Sequence, residues 1–398
     1  MRILLLSTYP AADPRHGGQH RLNQIAAMLA GGGHDVHLRG VLGSSSYPSR
    51  SGYIGFPGRG ALERYIADPT LMEDWAIGRY AADPQGGYQK LSRLCDPGYD
   101  VIFCEQPWLF EFAYRRFSKA RRKPAFIYGS QNIEQQLKLK IAEQYLSRVA
   151  AERAAELVAQ TEHFAIANAD MIVAVSDHDR YWLESEAPAT PVVVASNGVS
   201  DRRATLTDVE QSNAITEGRK FALYCASSHP PNIEGFYEMF GNGVGCFAPG
   251  DRLVIAGGAG PSIIADKRFS RASGLTAKVI AAGQVTESQL RGLLTTAHLI
   301  VLPITTGGGT NLKTAEALWS GRRIVATITA MRGFEGFNSS AGVALADEAP
   351  AFLSCVQRAM SLSPLQLSPE ERAARSCVLW QHTLAPLARA IDQLKTNK

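Results

Sequence analysis

Strand-length apolar runs alternate with helix-period tracts along the whole chain, and this alternation restricts the fold more than any other feature. Apolar runs stand at residues 3–7, 35–38, 100–104, 125–128, 171–175 and 192–195. Residues 21–30 (RLNQIAAMLA) bring Leu22, Ile25, Ala26 and Leu29 onto one helix face, and Gly31-Gly32-Gly33 stops them. Residues 108–119 and the long Ala-, Glu-, Gln- and Leu-rich tract 134–168 predict further helices, the second with a break. Strands separated by helical crossovers pair in parallel, so the expected class is α/β. Residues 43–60, rich in Gly, Ser and Pro, read as an irregular loop.

The pattern pauses at 200–219, a polar stretch without periodicity that reads as a linker, and then restarts. Strands are predicted at 221–225, 253–256, 279–281, 299–302 and 323–326, and helices at 232–241, 288–295 and 312–320. From 349 onward the chain reads as mainly helical. The expected domains are 1–199, a linker 200–219, a second domain 220–370, and a C-terminal helical segment 371–398 that packs back on the first domain.

A length of 398 residues suits two or three domains, and 45% hydrophobic with 20% charged residues is ordinary globular composition. No apolar run approaches the roughly 18 residues of a membrane span. The opening apolar run is too short for a signal-peptide core and lacks a small-residue exit, so a first buried strand is the better reading. The six cysteines show no CxxC spacing, which argues against a zinc site or a disulfide framework and suits a reducing cytoplasmic setting. The net charge of +4 does not by itself point to nucleic acid, and no nucleic-acid motif accompanies it.

The most informative segment runs Leu302-Pro-Ile-Thr-Thr-Gly-Gly-Gly-Thr-Asn-Leu-Lys-Thr-Ala-Glu316. A buried strand ends at Pro303, and Gly307, Gly308 and Gly309 let the backbone approach a ligand closely. Thr310 or Asn311 can cap the helix that follows. Free N–H groups and the positive end of the helix dipole suit a diphosphate there. Lys313 adds a cation, which is unfavourable at that end unless an anion is present. Glu316, one turn on, can accept hydrogen bonds from vicinal hydroxyls. The alternative is a structural turn with solvated Lys313 and Glu316. A second anion-compatible loop, Tyr9 to His20, carries Gly17-Gly18 at a helix start, with Arg15, His16 and His20 nearby. It is not GxGxxG, so the dinucleotide fingerprint is missing.

These pieces together resemble the GT-B fold glycosyltransferases, specifically the retaining family 4 type (glycosyl transferases group 1). The resemblance rests on Gly17-Gly18, Gly33-His34-Asp35-Val36, Ser130-Gln131-Asn132-Ile133-Glu134, Ser196-Asn197-Gly198-Val199, His229-Pro-Pro-Asn-Ile-Glu-Gly235, Gly283-Gln-Val285 and the 307–321 segment. It covers nearly the whole chain and implies two Rossmann-like domains facing each other across a cleft. The C-terminal domain would hold a UDP- or GDP-sugar and the N-terminal domain a glycan, glycolipid or lipid-linked acceptor. Glu316 matches the family's ribose-binding glutamate. Gly309, Thr310, Asn311 and Leu312 would offer N–H groups to the diphosphate, and Val285 would lie near the base. The implied donor set is completed by Gly17, Gly18, Ser227, Asn232, Gly307, Gly308 and Lys313. Lys313, Gly18 and His229 are the catalytic candidates, and Gln19, Glu105, Gln106 and Gln131 the acceptor candidates.

The chain departs from the family pattern in three places. Gly308 stands where the family often has a first glutamate, and Ser227-Ser-His-Pro-Pro-Asn232 stands where a basic pair is usual. Gln131 occupies a position often held by histidine. Lys313 is expected to take over part of the phosphate neutralisation. The resemblance implies retention of anomeric configuration, with no metal, no resident cofactor and no enzyme nucleophile. Polysaccharide or cell-surface glycan synthesis is the expected setting. Alternatives are a non-hydrolysing nucleotide-sugar epimerase and a non-catalytic nucleotide-sugar-binding protein of the same fold.

Other features carry two readings. Asp177-His178-Asp179 resembles a DxD metal motif, but its place after a strand favours helix capping. His16 and His20 stand four apart without a third ligand. Glu105-Gln106-Pro107 is an acceptor contact or a surface turn. The basic residues within 115–123, beside Trp108, Phe110, Phe112 and Phe117, form a solvated helix end or a contact for anionic lipid headgroups, which would place the protein at the inner face of the membrane.

Overall fold

The computed structural model describes residues 1–14, 16–272, 274–306 and 310–396. The chain divides into two compact units, one formed by Met1–Ser196 with the segment from Leu384 on, the other by Asn197–Thr383.

Unit 1 is built on β1 (Arg2–Ser7), β2 (Asp35–Val41), β3 (Tyr53–Ile54), β4 (Val101–Glu105), β5 (Ala125–Gly129), β6 (Met171–Ala174) and β7 (Val192–Val194). They form one sheet in the order β3-β2-β1-β4-β5-β6-β7, with every pair parallel. Ile3 to Leu6 are fully buried because helices cover both faces of such a sheet, which is why β1 reads as an unbroken apolar run. The two-residue β3 lies inside 43–60, where the sequence predicts only loop; an edge pairing this short leaves no periodicity to detect.

Unit 2 is built on β8 (Phe221–Cys225), β9 (Arg252–Ala256), β10 (Val279–Gly283), β11 (Leu299–Leu302), β12 (Arg323–Ala326) and β13 (Val343–Leu345), in the order β10-β9-β8-β11-β12-β13, again all parallel. Alternation along β11 divides its side chains between two cores. Leu299 and Val301 pack with Phe236, Phe240 and Phe352, while Ile300 and Leu302 pack with Leu293, Leu318 and Met331. Each such buried side chain contributes roughly 1.5–3 kcal/mol.

In each sheet the strand order reverses once, between β1 and β4 and between β8 and β11. The loops leaving the carboxyl ends of such strands diverge and open a crevice there, the usual ligand position in open α/β sheets.

The 200–219 stretch is not a plain linker. Leu206–Thr216 is a helix opened by a capping box, in which Thr205 accepts from the Asp208 amide and Asp208 from the Thr205 amide. It packs on the helix Glu287–Thr296 at Gly292, where a Cβ would stand 1.9 Å from the Asp208 carbonyl oxygen. Ser288 and Arg291 bond the Asp208 carboxylate from the same neighbour. The helix shows no apolar stripe because the side chains it buries are Asp208, Ser212 and Thr216. The crossings between units fall at 196–197 and 383–384. Of the segment predicted as 371–398, the helix Pro369–Arg375 belongs to unit 2 and the helix Ala385–Thr396 to unit 1.

Candidate functional site

In unit 2 the site residues gather at the carboxyl edge of the sheet. The helix Leu312–Ser320 follows β11, with Asn311 at its N-cap in extended conformation and no side-chain cap bond. The predicted capping by Thr310 or Asn311 is therefore absent. Thr310 is engaged by Asn197, whose backbone N–H donates to Thr310 Oγ1 at 3.4 Å and whose Nδ2 donates to the Thr310 carbonyl at 3.0 Å. Leu312 and Lys313 thus open a helix whose N-cap residue makes no side-chain bond to its terminal N–H groups. Gly307, Gly308 and Gly309 lie outside the described residues.

Lys313 is half-buried, and its Nζ donates to Asn232 Oδ1 at 2.5 Å. Asn232 in turn donates from Nδ2 to the Ser227 carbonyl at 3.0 Å and to Ser227 Oγ at 3.2 Å. Burial lowers Lys313 to about 8, opposed by the neighbouring Cys225 and Glu316. Glu316, at i+3 on the same helix, is raised to about 7 by burial, opposed by Lys313 and reinforced by Glu287. His229 is the N-cap residue of the helix Pro230–Phe240. Partial enclosure and the Lys313 charge hold its imidazole below the usual range.

Three loops are stitched together beside this group. Gly257, at φ +96° after β9, donates to the Gly283 carbonyl at 2.6 Å, and a Cβ on it would meet the Ala226 carbonyl at 2.3 Å. Val285, two residues past β10, is half-buried against the core that holds Leu293 and Leu318. Ser227, His229, Asn232, Lys313 and Glu316 are thereby brought into one neighbourhood. Sequence reasoning had no signal for Cys225 beside Lys313, and carried Asn197 only as part of the Ser196–Val199 piece of the family resemblance, with no link to Thr310.

In unit 1 two of the acceptor candidates, Glu105 and Gln131, join one largely buried network, while Gln19 and Gln106 lie outside it. Gln131 Nε2 donates to Tyr9 Oη at 2.5 Å and to Glu105 Oε1 at 2.7 Å. Arg21 Nε donates to the same Glu105 oxygen at 3.1 Å, and Arg21 Nη1 donates to the Ala195 carbonyl at 2.7 Å. Burial raises the Glu105 carboxyl, opposed by Arg21 and Gln131. Gly18 lies against Tyr9, where a Cβ would be 2.8 Å from the phenol oxygen and 3.1 Å from Gln131 Oε1. Its missing side chain thus has a reason inside unit 1. Gly17 begins the same helix, Gly17–Gly31. Gln19 is buried and donates from Nε2 to the Pro10 carbonyl at 2.9 Å. Gln106 takes a left-handed backbone, φ +70°, just past β4. Non-glycine residues pay for that conformation and hold it where the surroundings demand it. Sequence reasoning missed Glu162, and quoted Glu134 only as the last residue of the Ser130–Glu134 piece. Glu162 accepts from the Glu134 and Gln135 amides and from Tyr128 Oη, closing the start of the helix Glu134–Ala142 from a different helix.

The remaining motifs resolve structurally. Ser176 caps the helix Asp177–Glu186 by accepting from the Asp179 amide, so Asp177-His178-Asp179 is a helix start. His16 is bonded through Nε2 to Tyr47 Oη at 2.9 Å, and burial lowers it to about 4; Arg15 lies outside the described residues. Among the described residues no group of three His, Cys, Asp or Glu side chains could hold a metal ion. Trp108, Phe110, Phe112 and Phe117 point into the core rather than beside a surface cluster. Arg115 pairs with Glu111 at 2.6 Å and Arg122 with Asp100 at 2.9 Å. No helix among the described residues is long and apolar enough to cross a membrane.

Two Rossmann-like units in one chain are the GT-B architecture. Residues 16–203 match the family Glycosyltransferase Family 4, and residues 222–361 match Glycosyl transferases group 1. The chain belongs to these group 1, family 4 type glycosyltransferases of GT-B fold and is a glycosyltransferase enzyme. Among solved structures it is similar to sucrose-phosphate synthase from Thermosynechococcus elongatus (17% identity, TM-score 0.70, all of both chains). It is also similar to HepE from Anabaena in complex with UDP (14%, 0.62, 99% of this chain and all of that one). A third is WaaG, a glycosyltransferase involved in lipopolysaccharide biosynthesis (14%, 0.62, 99% of each). At these identities the likeness is one of fold. No curated protein matches by sequence.

Proposed function

We propose that the enzyme transfers a sugar from a UDP- or GDP-sugar to a glycan, glycolipid or other glycoconjugate acceptor, with retention of anomeric configuration. The observation that carries this reading is Lys313, half-buried at a helix N-terminus without a side-chain cap, with Glu316 one turn behind it. The terminal N–H groups and the Lys313 ammonium stabilise charge that develops on a leaving diphosphate. Glu316, once ionised, accepts from the ribose hydroxyls. His229 faces the same ammonium from the neighbouring helix, within reach of the diphosphate or the sugar. HepE was solved with UDP-glucose, which makes a uridine donor the first to test. Retention by attack on the leaving-group face needs no enzyme nucleophile. The reaction is proposed to need neither metal nor resident cofactor, because the dipole and Lys313 supply the electrostatic role.

The acceptor is placed on unit 1, at Gln106 and the Glu105–Gln131 network. Assembly of polysaccharide or other cell-surface glycan on the cytoplasmic side of a membrane is the proposed setting. Exposed Lys119, Arg121 and Lys123 supply the attraction to anionic headgroups.

The test is turnover of a panel of UDP- and GDP-sugars, with release of nucleotide and sugar followed by NMR. Release of the α-sugar from an α-linked donor is expected, and it should fall at least about tenfold in Lys313→Ala, which removes the charge stabilisation. Release of the β-anomer would overturn retention. Tight nucleotide-sugar binding without any turnover would favour the non-catalytic alternative.

A further inference from the structure

We propose that Asn232 is a positioning residue for Lys313, holding its ammonium at the start of the helix Leu312–Ser320 and thereby replacing, by aim, the charge that its own loop lacks. This rests on the donor-site reading above and adds the means by which one cation is made to serve it.

The loop after β8 supplies little else to an anion. The segment from Ser227 to Asn232 carries no Lys or Arg. Its helix begins with Pro230 and Pro231, which have no N–H, and the Asn232 N–H donates to the His229 carbonyl at 2.9 Å. A helix N-terminus normally offers several free donors to a phosphate. Here the first three positions offer none.

What the loop does present to Lys313 is the side-chain oxygen of Asn232, held in one orientation. Asn232 Nδ2 faces the Ser227 carbonyl, which can only accept, so the amide cannot flip without losing that bond. Oδ1 is therefore the atom that meets Lys313 Nζ, which can only donate. Tyr224 Oη donates to the Asn232 carbonyl at 2.9 Å and fixes its backbone. Gly235 sets the helix against the chain leaving β11, where a Cβ would stand 2.1 Å from the Pro303 carbonyl. A rigid path thus runs from the sheet through the helix Pro230–Phe240 to the ammonium. With one N–H engaged by Asn232, the ammonium keeps two for an anion.

The titratable groups facing Lys313 are Cys225 at the end of β8, Glu316 on its own helix and His229 on the neighbouring one, with Glu287 acting on Glu316. Burial disfavours the ammonium and a carbonyl partner favours it, so Asn232 works against the desolvation. An apolar residue at 232 makes Lys313 easier to deprotonate, and a carboxylate makes it harder.

The experiment follows the Lys313 titration by NMR after reductive ¹³C-methylation, without nucleotide, in the wild type, Asn232→Leu and Asn232→Asp; loss of the signal in Lys313→Arg assigns it. UDP and GDP titrations by calorimetry across the same pH range accompany it. The expected result is a Lys313 midpoint about one pH unit lower in Asn232→Leu and about one unit higher in Asn232→Asp. The alkaline loss of UDP affinity should move with it. A merely structural role would not move the two variants in opposite directions. Should Asn232→Leu fail to fold, the near-isosteric Asn232→Asp decides alone. A midpoint that stays at the wild-type value in the folded variants overturns the proposal. Midpoints that move as stated while the wild type binds no UDP or GDP overturn the donor-site reading and leave the positioning role standing.

Discussion

Two residues of the proposed donor site titrate close to neutral pH. Glu316 stands at about 7 and Lys313 at about 8, both displaced chiefly by burial. The diphosphate calls for the ammonium and the ribose for the carboxylate. Nucleotide affinity should therefore peak between these values, falling on the acid side as Glu316 protonates and on the alkaline side as Lys313 is discharged. Calorimetric titration across pH checks this, and Lys313→Met should remove the alkaline limb alone. The same shifts act on folding in opposite senses. Raised from 4.5, Glu316 contributes stability below that pH that is lost as pH rises through about 7. Lowered from 10.5, Lys313 contributes stability above that pH that is lost as pH falls through about 8. In unit 1 the controlling pair is Arg21 with Glu105, whose side chains are 1% and 0% exposed. Arg21→Met leaves a buried carboxylate without its cation. It should cost about 3–5 kcal/mol in urea unfolding, much of it recovered when Glu105→Leu is added.

Among the elements, the closest packing test is the contact of the helices Leu206–Thr216 and Glu287–Thr296. A methyl at 292 would stand 1.9 Å from the Asp208 carbonyl oxygen, far inside van der Waals contact. Gly292→Ala should therefore destabilise by about 1–3 kcal/mol despite the better helix propensity of alanine, as read by chemical denaturation. This contact also shows where legibility ended. β8, β11 and β12 were readable to the residue because both faces of their sheet are covered and their apolar runs are unbroken. The helix Leu206–Thr216 was not, because Gly292 is pressed against the Asp208 backbone and the side chains the helix buries, Asp208, Ser212 and Thr216, leave no apolar stripe. The helices Glu73–Ala82 and Tyr88–Leu94 and the three-residue β13 likewise lacked a clear period. In the candidate site, the place of Lys313 and Glu316 on one helix after the glycines was legible. The Asn232 bond to Lys313 was not, because it joins positions 81 apart in sequence. The Glu162 bonds to the start of the helix Glu134–Ala142 were hidden for the same reason, reaching 28 and 27 positions along the chain.

The whole molecule is two parallel-sheet units made from one chain that crosses between them twice. The second unit carries the proposed donor site and the first the proposed acceptor network. Its charge matters less as a total of +4 than by placement: one ammonium at a helix terminus, and a basic segment whose aromatic neighbours are spent on the core. The central claim is that residues 312–316 in unit 2 bind a nucleoside diphosphate. The direct measurement is calorimetric titration of UDP and GDP into the full-length protein at pH 7.5, beside Lys313→Ala and Glu316→Ala. One nucleotide is predicted to bind, about tenfold or more weakly in each variant, since each substitution removes a charge-assisted contact of roughly 1.5–3 kcal/mol. No heat from either nucleotide, or equal affinity in all three proteins, would contradict the account.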